Sequence, residues 1–435
     1  MASAYVDEWA GKSKMRVDKP FSVDGYFWLP SDENNKLYGT LTVKDGGKVE
    51  LEILGSFNKS LVDCSNDDRE IERIVGETEK GYVTLEKCFA ITSKFNIGGG
   101  ISKNRIHVSI LYHKIRYEKD EVILFDTFSF TVDGLNEWLN IRKIKSDTTT
   151  DSYTITNDKV ENFEYMLTDK MKLNFQIMIT GHTAHYEASI KQYAKIELIS
   201  DEKKSLNDFI KVANKIVKFL SFAIDESINI KNIKVTNSEI FRECSGKKHP
   251  VKIKVYSQIM NFFKDTPEIK FHTMLFQYTD IQESFEEKIN SWVDAYKVIE
   301  PALNLFFSVR YNPSQYVESE FLSLAQAFET YHRQLYGTNK NFKERVEEII
   351  TPFHKYIGSD DEVKELSKTI KITRNYYTHY ENELLNKGAI PCSQLSFLSR
   401  KMEGILQLAF LTQIGFTEIE IEKIFNGYSG LKDKF

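Results

Sequence analysis

Two periodicities divide the chain. Over residues 1–200, strand-like runs stand at 26–29, 37–43, 48–54, 82–89, 105–112, 122–132, 172–180 and 193–199, and several of them alternate apolar and polar positions. Alternation at every second residue marks a strand with one face buried. In the run 122–132, Ile123, Phe125, Thr127 and Ser129 fall on one side, and Leu124, Asp126, Phe128, Phe130 and Val132 on the other. Turn formers separate the runs at 30–35, Asp45-Gly46-Gly47, Gly98-Gly99-Gly100 and Asp133-Gly134,. Short strands so spaced predict an antiparallel sandwich or barrel-like sheet, with a helical turn in GLNEWLNI (134–141).

From residue 201 the period lengthens. Ser205 and Asp208 stand at the first cap and third helical positions. Behind them Leu206, Phe209, Ile210, Ala213, Ile216, Val217 and Leu220 mark an amphipathic helix,. Strand-like runs at 228–235 and 251–259 flank the basic turn SGKKHP, and 281–309 reads as helix interrupted by Pro301,. The remainder is helical throughout. One helix carries Phe321, Leu324, Phe328, Tyr331 and Leu335 as a stripe and stops at Gly337,. A second runs over 342–356 and is shortened or kinked by Pro352. A third covers 364–384, a strongly apolar fourth 393–413, and a fifth starts at Thr417 as its cap,. The pattern is that of an α+β multidomain chain: a β-rich, sandwich-like N-terminal domain (1–200), a mixed connecting region (201–310) and an all-α helical bundle (311–435),.

Composition adjusts this picture little. A chain of 435 residues is too long for one ordinary core,. Its 41% hydrophobic and 28% charged residues are those of a packed protein,. The net charge of −5 gives no global nucleic-acid signature, so any basic surface has to be local,. Cys64, Cys88, Cys244 and Cys392 are scattered, without a CxxC, which argues against a disulfide framework or zinc ribbon,. With no apolar leader and no run of about 18 apolar residues, a cytoplasmic location off the membrane is expected. The glycines at 98–100 lack the lysine and following helix of a phosphate loop,. His182 and His185, like Cys244 and His249, have no second pair of ligands in view, so no metal site is expected,.

Chemistry concentrates on the third helix of the bundle, KELSKTIKITRNYYTHYENEL. Val363, Leu366, Ile370, Thr373, Tyr377, Tyr380 and Leu384 recur at three- and four-residue steps and predict a core-facing stripe,. At about 100° per residue, Lys364, Lys368, Lys371, Asn375 and His379 align on the opposite face, with Arg374 on the flank,. A row of cations ending in an amide and an imidazole suits a polyanion. The three lysines fit phosphate tracking along RNA, and they equally fit ordinary solubility charges paired with Glu362 and Glu365.

The string Arg374-Asn375-Tyr376-Tyr377-Thr378-His379 has the form R-N-x-x-x-H on a late helix of a small bundle. It resembles the motif of the HEPN ribonuclease superfamily. The helix FLSLAQAFETYHRQLY (321–336) resembles the first bundle helix of that group. The segment GYFWLP…LYGTLTV…VELEILGSF (25–57) is similar to the β-rich domain of ApeA-type anti-phage proteins of bacteria. The resemblance implies that His379 is the general acid/base of metal-independent RNA cleavage, with no cofactor, in which the ribose 2′-hydroxyl attacks the adjacent phosphate. An imidazole suits this because both its protonation states are accessible near neutrality. It implies that Arg374 stabilises the phosphorane-like charge. Asn375 would orient His379 or the phosphate, and Glu329, on the first bundle helix, would hold Arg374 or tune His379. Tyr380 is expected in the core and His332 is a secondary candidate. Five residues place Arg374 and His379 about 140° apart on a helix. A homodimer, as is usual in this superfamily, would gather two copies of each in one cleft. The implied role is abortive infection by an RNA-cleaving toxin that a phage-derived trigger releases. A non-catalytic RNA- or protein-binding bundle, or a ligand sensor dimerised through the bundle, are the alternatives.

Overall fold

The computed structural model describes residues 20–57, 69–92, 102–159, 161–244, 246–258, 269–311, 316–337 and 339–435. The triple glycine at 98–100 and Cys64 lie outside them. Seven strands come first: β1 (Phe21–Trp28), β2 (Leu37–Val43), β3 (Val49–Leu54), β4 (Glu70–Thr78), β5 (Gly81–Thr92), β6 (Lys103–His113) and β7 (Phe125–Val132). After α1 (Leu135–Leu139) come β8 (Ile144–Thr148), β9 (Tyr153–Asn157), β10 (Phe163–Met166), β11 (Met171–Ala184) and β12 (Glu187–Lys204). Helix α2 (Leu206–Ile224) precedes β13 (Ile230–Thr236), β14 (Phe241–Cys244), β15 (Lys247–Pro250) and β16 (Ile253–Ser257). The helical remainder is α3 (Tyr278–Ile281), α4 (Phe285–Tyr311), α5 (Val317–Tyr336), α6 (Phe342–Ile350), α7 (His354–Ile357), α8 (Asp360–His379), α9 (Glu383–Asn386), α10 (Cys392–Gln413), α11 (Glu418–Gly427) and α12 (Ser429–Lys432). The expected α+β architecture is present.

The chain forms two compact units. The first comprises Met1–Asp133, Ile196–Ile210 and Asn229–Pro267. In it β1 to β6 close on themselves in the antiparallel order β6-β3-β2-β1-β4-β5, with β5 returning to β6. Val23, Phe27, Leu41, Val43, Leu51, Ile53, Ile74, Val83, Leu85 and Leu111 fill the interior. The close approach at one corner needs glycine: a Cβ on Gly76 would lie 2.5 Å from the buried Phe27 ring,. The barrel-like sheet is therefore realised by closure, and the strand that makes it possible, β4, is one that the alternation of apolar positions does not reveal. Its central Ile74, Val75 and Gly76 are all buried in succession, so no period of two is visible. Beyond the barrel, β16 pairs with β6, β13 with β16, and β7 with β13.

The second unit comprises Gly134–Lys195, Lys211–Ile228 and Glu268–Phe435. One half of its core is aromatic: the rings of Trp138, Phe175, Tyr278 and Phe285 pack at centroid distances of 5.4–6.1 Å. Among the bundle helices, α10 is buried at every position from Gly404 to Leu411, which makes it the central one,. Helices α5, α6, α10 and α11 occupy the segments their apolar spacing predicts. Gly337 closes α5 with φ +88°, and Thr417 caps α11. Helix α4 kinks at Ile299, two residues before Pro301, where the ring removes a donor and crowds the preceding turn,.

A buried charge cluster ties α4, α10, the end of α2 and Lys434 together. Arg310 pairs with Asp225 at 2.8 Å and with Glu403, while Lys434 reaches Asp225 at 2.7 Å and Glu403 at 3.6 Å. These four side chains are at most 13% exposed. Burial alone would push the Glu403 carboxyl up, but Lys434 and Arg310 outweigh it and hold it below the usual carboxylate range. Asp225 adopts φ +63°, a left-handed conformation that Asp and Asn tolerate better than other side chains,.

Asp225→Asn keeps that backbone conformation and the side-chain shape while removing one of two buried negative charges. Breaking a buried ion pair from one side costs about 3–5 kcal/mol. Urea unfolding of this variant is expected to show a loss of about 3 kcal/mol; an unchanged midpoint contradicts the cluster's structural role.

Candidate functional site

Helix α8 is fixed at both ends. At its start the Ser359 hydroxyl accepts from the Glu362 N–H at 3.4 Å and the Glu362 carboxylate accepts from the Ser359 N–H at 2.7 Å. This reciprocal cap uses Glu362, so of the two acids expected to pair the lysines only Glu365 does, with Lys368 at 3.1 Å,. Asp360 and Asp361 join Glu362 in the first turn, where negative charge is favoured,. At the other end, buried Thr373 accepts the Ile390 N–H at 3.1 Å, and the Tyr377 hydroxyl donates to the Ile390 carbonyl at 3.1 Å. Both polar groups of one peptide residue are thus held by the buried face of α8.

That face consists of Val363, Ser367, Ile370, Thr373 and Tyr377. Of the expected stripe Val363, Ile370, Thr373 and Tyr377 are buried, Ser367 takes the place expected for the half-buried Leu366, and the stripe fails beyond Tyr377. The helix ends at His379 rather than at 384, and Tyr380 is 61% exposed rather than in the core. Tyr380 adopts φ +54°, ψ +36°, and its N–H closes the last turn on the Tyr376 carbonyl. Glycine is usual in such a position; an L residue in this region costs roughly 1–2 kcal/mol. The apolar spacing continues through Tyr380 and Leu384, but the backbone changes hand at Tyr380, leaving Tyr380 exposed and Leu384 half-buried on the separate helix α9.

Helix α8 packs on α5 and α6, and these set the surroundings of Arg374. Its guanidinium lies 3.8 Å from the Glu329 carboxylate, 5.3 Å above the Phe342 ring, and 3.3 Å from the Asn375 side-chain Oδ1, to which it donates. Glu329 is shared: Arg333, one turn on, pairs with it more closely at 2.7 Å. With its side chain 36% exposed, Arg374 is steered rather than neutralised, since a half-exposed pair of this length contributes under about 1 kcal/mol,. Arg374, Asn375 and Glu329 are thus brought together. His379 is exposed at the end of the same helix, and Lys364, Lys368 and Lys371 are exposed along it. The arrangement offers a forked donor held at the surface and, five residues on, an imidazole open to solvent. Spacing alone did not point to Phe342, which meets Arg374 across a helix interface. Arg333 was legible as an i,i+4 partner of Glu329.

His332 is not beside Arg374 but 1% exposed between α5 and α6. Arg345, equally buried, donates to its Nδ1 at 3.2 Å and to the Gly337 carbonyl at 2.9 Å. Nε2 therefore carries the proton and donates to Glu348 at 2.5 Å,. Desolvation, with Arg345 and Lys340 adding to it, holds the His332 ring below the ordinary histidine value. Around α8, three tyrosine rings cluster: Tyr376 lies 4.8 Å from Tyr377 and 5.7 Å from Tyr380, and Tyr377 lies 6.1 Å from Tyr380. Burial pushes the Tyr377 hydroxyl up to about 12.

Residues 22–292 match the family model described as ApeA N-terminal domain 1. Residues 322–420, which include Glu329 and the whole of Arg374–His379, match the model described as Apea-like HEPN. No curated protein matches the chain, and no solved structure does. Among the described residues, no helix is long and apolar enough to cross a membrane.

The neutral His332 ring gives a pH signature. Its folded value is lowered, so the folded state binds fewer protons, and its contribution to stability is complete above the unfolded value of about 6.5 and is lost as pH falls through the folded value,. Thermal melts are expected to show a decline below about pH 6.5 that His332→Gln flattens; parallel pH profiles for the two proteins would refute it.

Proposed function

The chain belongs to the ApeA-type HEPN proteins of anti-phage defence, and from that premise we propose that its bundle is a metal-independent endoribonuclease acting in the bacterial cytoplasm. One observation carries the reading: the Arg374 guanidinium is held at the surface by Glu329 and Phe342 five residues before the exposed His379. HEPN domains commonly act on RNA as dimers, and the motif is complete in this chain.

In the proposed reaction an imidazole takes the proton of a ribose 2′-hydroxyl. The resulting oxygen attacks the adjacent phosphorus, and the 5′-oxygen leaves with a proton from a second imidazole. The products are a 2′,3′-cyclic phosphate and a 5′-hydroxyl, with no net redox change. The guanidinium donates two parallel hydrogen bonds to the charged phosphorane oxygens. Asn375 and Glu329 limit where that guanidinium can point, so they are positioning residues. Lys364, Lys368 and Lys371 line the approach for the phosphate backbone, Lys368 in exchange for its contact with Glu365,. Two imidazoles are needed at once, and Arg374 and His379 diverge by about 140° on one helix. A homodimer that apposes two α8 helices meets both requirements. Held inactive until a phage cue arrives, such a nuclease would act by abortive infection.

Protein isolated from phage-exposed cells, where the restraint is released, is expected to cut RNA in EDTA and to leave 5′-hydroxyl ends. His379→Ala should abolish this with an unchanged melting temperature, and Arg374→Ala should lower kcat by about a hundredfold or more. Full cleavage by either variant overturns the assignment. Mass photometry tests the dimer, and a monomer that retains full activity rules it out.

A further inference from the structure

Tyr380 combines two unusual properties. Of the non-glycine residues with positive φ among those described, it is the only aromatic one. It is also 61% exposed, directly after His379. A bulky, largely exposed side chain in a left-handed backbone conformation, with only two ring contacts to offset its cost, is an outlier,. The ring is not loose. Tyr376 meets it at 5.7 Å with an interplanar angle of 62°, and Tyr377, anchored through its hydroxyl on the Ile390 carbonyl, meets it at 6.1 Å and 85°. Both neighbours approach edge-on, an arrangement that fixes a ring. Lys364, Lys368, Lys371 and Arg374 lie on the same helix and lead toward this end.

We infer that Tyr380, braced by Tyr376 and Tyr377, is a stacking shelf for an unpaired nucleobase flanking the phosphate that is cut. The ligand is single-stranded RNA. Stacking needs a base splayed from its helix, and an exposed tyrosine is a usual platform for one. The positive row supplies the complementary charge for the backbone. A base in a duplex presents only its edge and gains nothing from the shelf. The site would therefore select loops and unpaired tails by stacking, with little preference among the four bases. The inference rests on the reading of α8 as an RNA-contacting helix, and it deepens that reading by naming the substrate class.

The test uses binding, so that it does not depend on cleavage. The full chain carrying His379→Ala is titrated with a fluorescein-labelled, 2′-O-methyl single-stranded oligonucleotide and with the same strand in a duplex, read by anisotropy. Tyr380→Gly accepts the left-handed backbone freely, so the fold is expected to melt at the same or a higher temperature. Its affinity for the single strand should fall roughly tenfold. Tyr380→Phe, which keeps the ring, should lose much less. Duplex binding should be indifferent to either change, and an abasic site should reproduce the tenfold loss in the parent. The shelf is overturned by equal binding in the glycine variant, by a loss of the same size on the duplex, by a phenylalanine variant as weak as the glycine one, or by a parent that binds no oligonucleotide. It is also overturned if Tyr380→Gly converts a dimer to monomer, which would mean that a second copy covers the ring. Wild-type protein that binds as described but never cuts RNA would sink the nuclease reading alone.

Discussion

The Arg310 guanidinium is removed from water, and the helical region is built around its neutralisation. A charge so placed costs several kcal/mol unless geometry and hydrogen bonding compensate it. Asp225 and Glu403 supply the opposite charges, Lys434 balances the second carboxylate, and Gln407 closes the set by donating to Asp225 and accepting from Lys434 at 2.9 Å. These groups come from positions as far apart in sequence as 225 and 434. The cluster can form only when α4, α10 and the end of α2 are all in place, so it specifies one packing of these helices.

The charges near Arg374 obey the opposite logic. Arg310 is buried with its charge offset by Asp225 and Glu403, its Nε alone lacking a hydrogen-bond partner among the described residues; Arg374 is half-exposed and shares one carboxylate with Arg333. Two cations on one anion leave a net positive charge at the surface, and the shared carboxylate limits the directions in which Arg374 can reach. A helix fastened at its start by Ser359 and near its end by Ile390 holds that charge at a fixed height relative to His379.

Much of this was legible in the sequence. Helices α5, α10 and α11 follow from apolar spacing and from Gly337 and Thr417, because local propensity and burial agree there. The R-N-x-x-x-H string singled out Arg374 and His379, and the resemblance it carries pointed to Glu329 on the first bundle helix, which lies 3.8 Å from Arg374. The end of α8 was not legible. Tyr380 and Leu384 prolong the apolar period past the point where the backbone changes hand, and periodicity carries no information about φ,. Barrel closure was equally hidden, because β4 buries consecutive residues and an alternating template misses it. His332 was expected only as a secondary site candidate, yet it is buried beside the equally buried Arg345, with Arg345 donating to its Nδ1 and Glu348 meeting its Nε2. The Phe342–Arg374 contact joins two helices, and no single-segment pattern encodes it.

The closed order of β1 to β5 carries a consequence for recognition. Each of these strands has a bonded neighbour on both sides. A free strand edge is what an incoming peptide lengthens when it adds itself to a sheet. Where β1 to β5 are laddered on both sides that docking mode has no template; the β1–β4 register covers only Gly25–Trp28 against Val75–Thr78,. A polypeptide cue meeting this part of the domain is left with side-chain surfaces and the loops at the barrel's rims, where shape and charge, rather than main-chain pairing, set what is accepted.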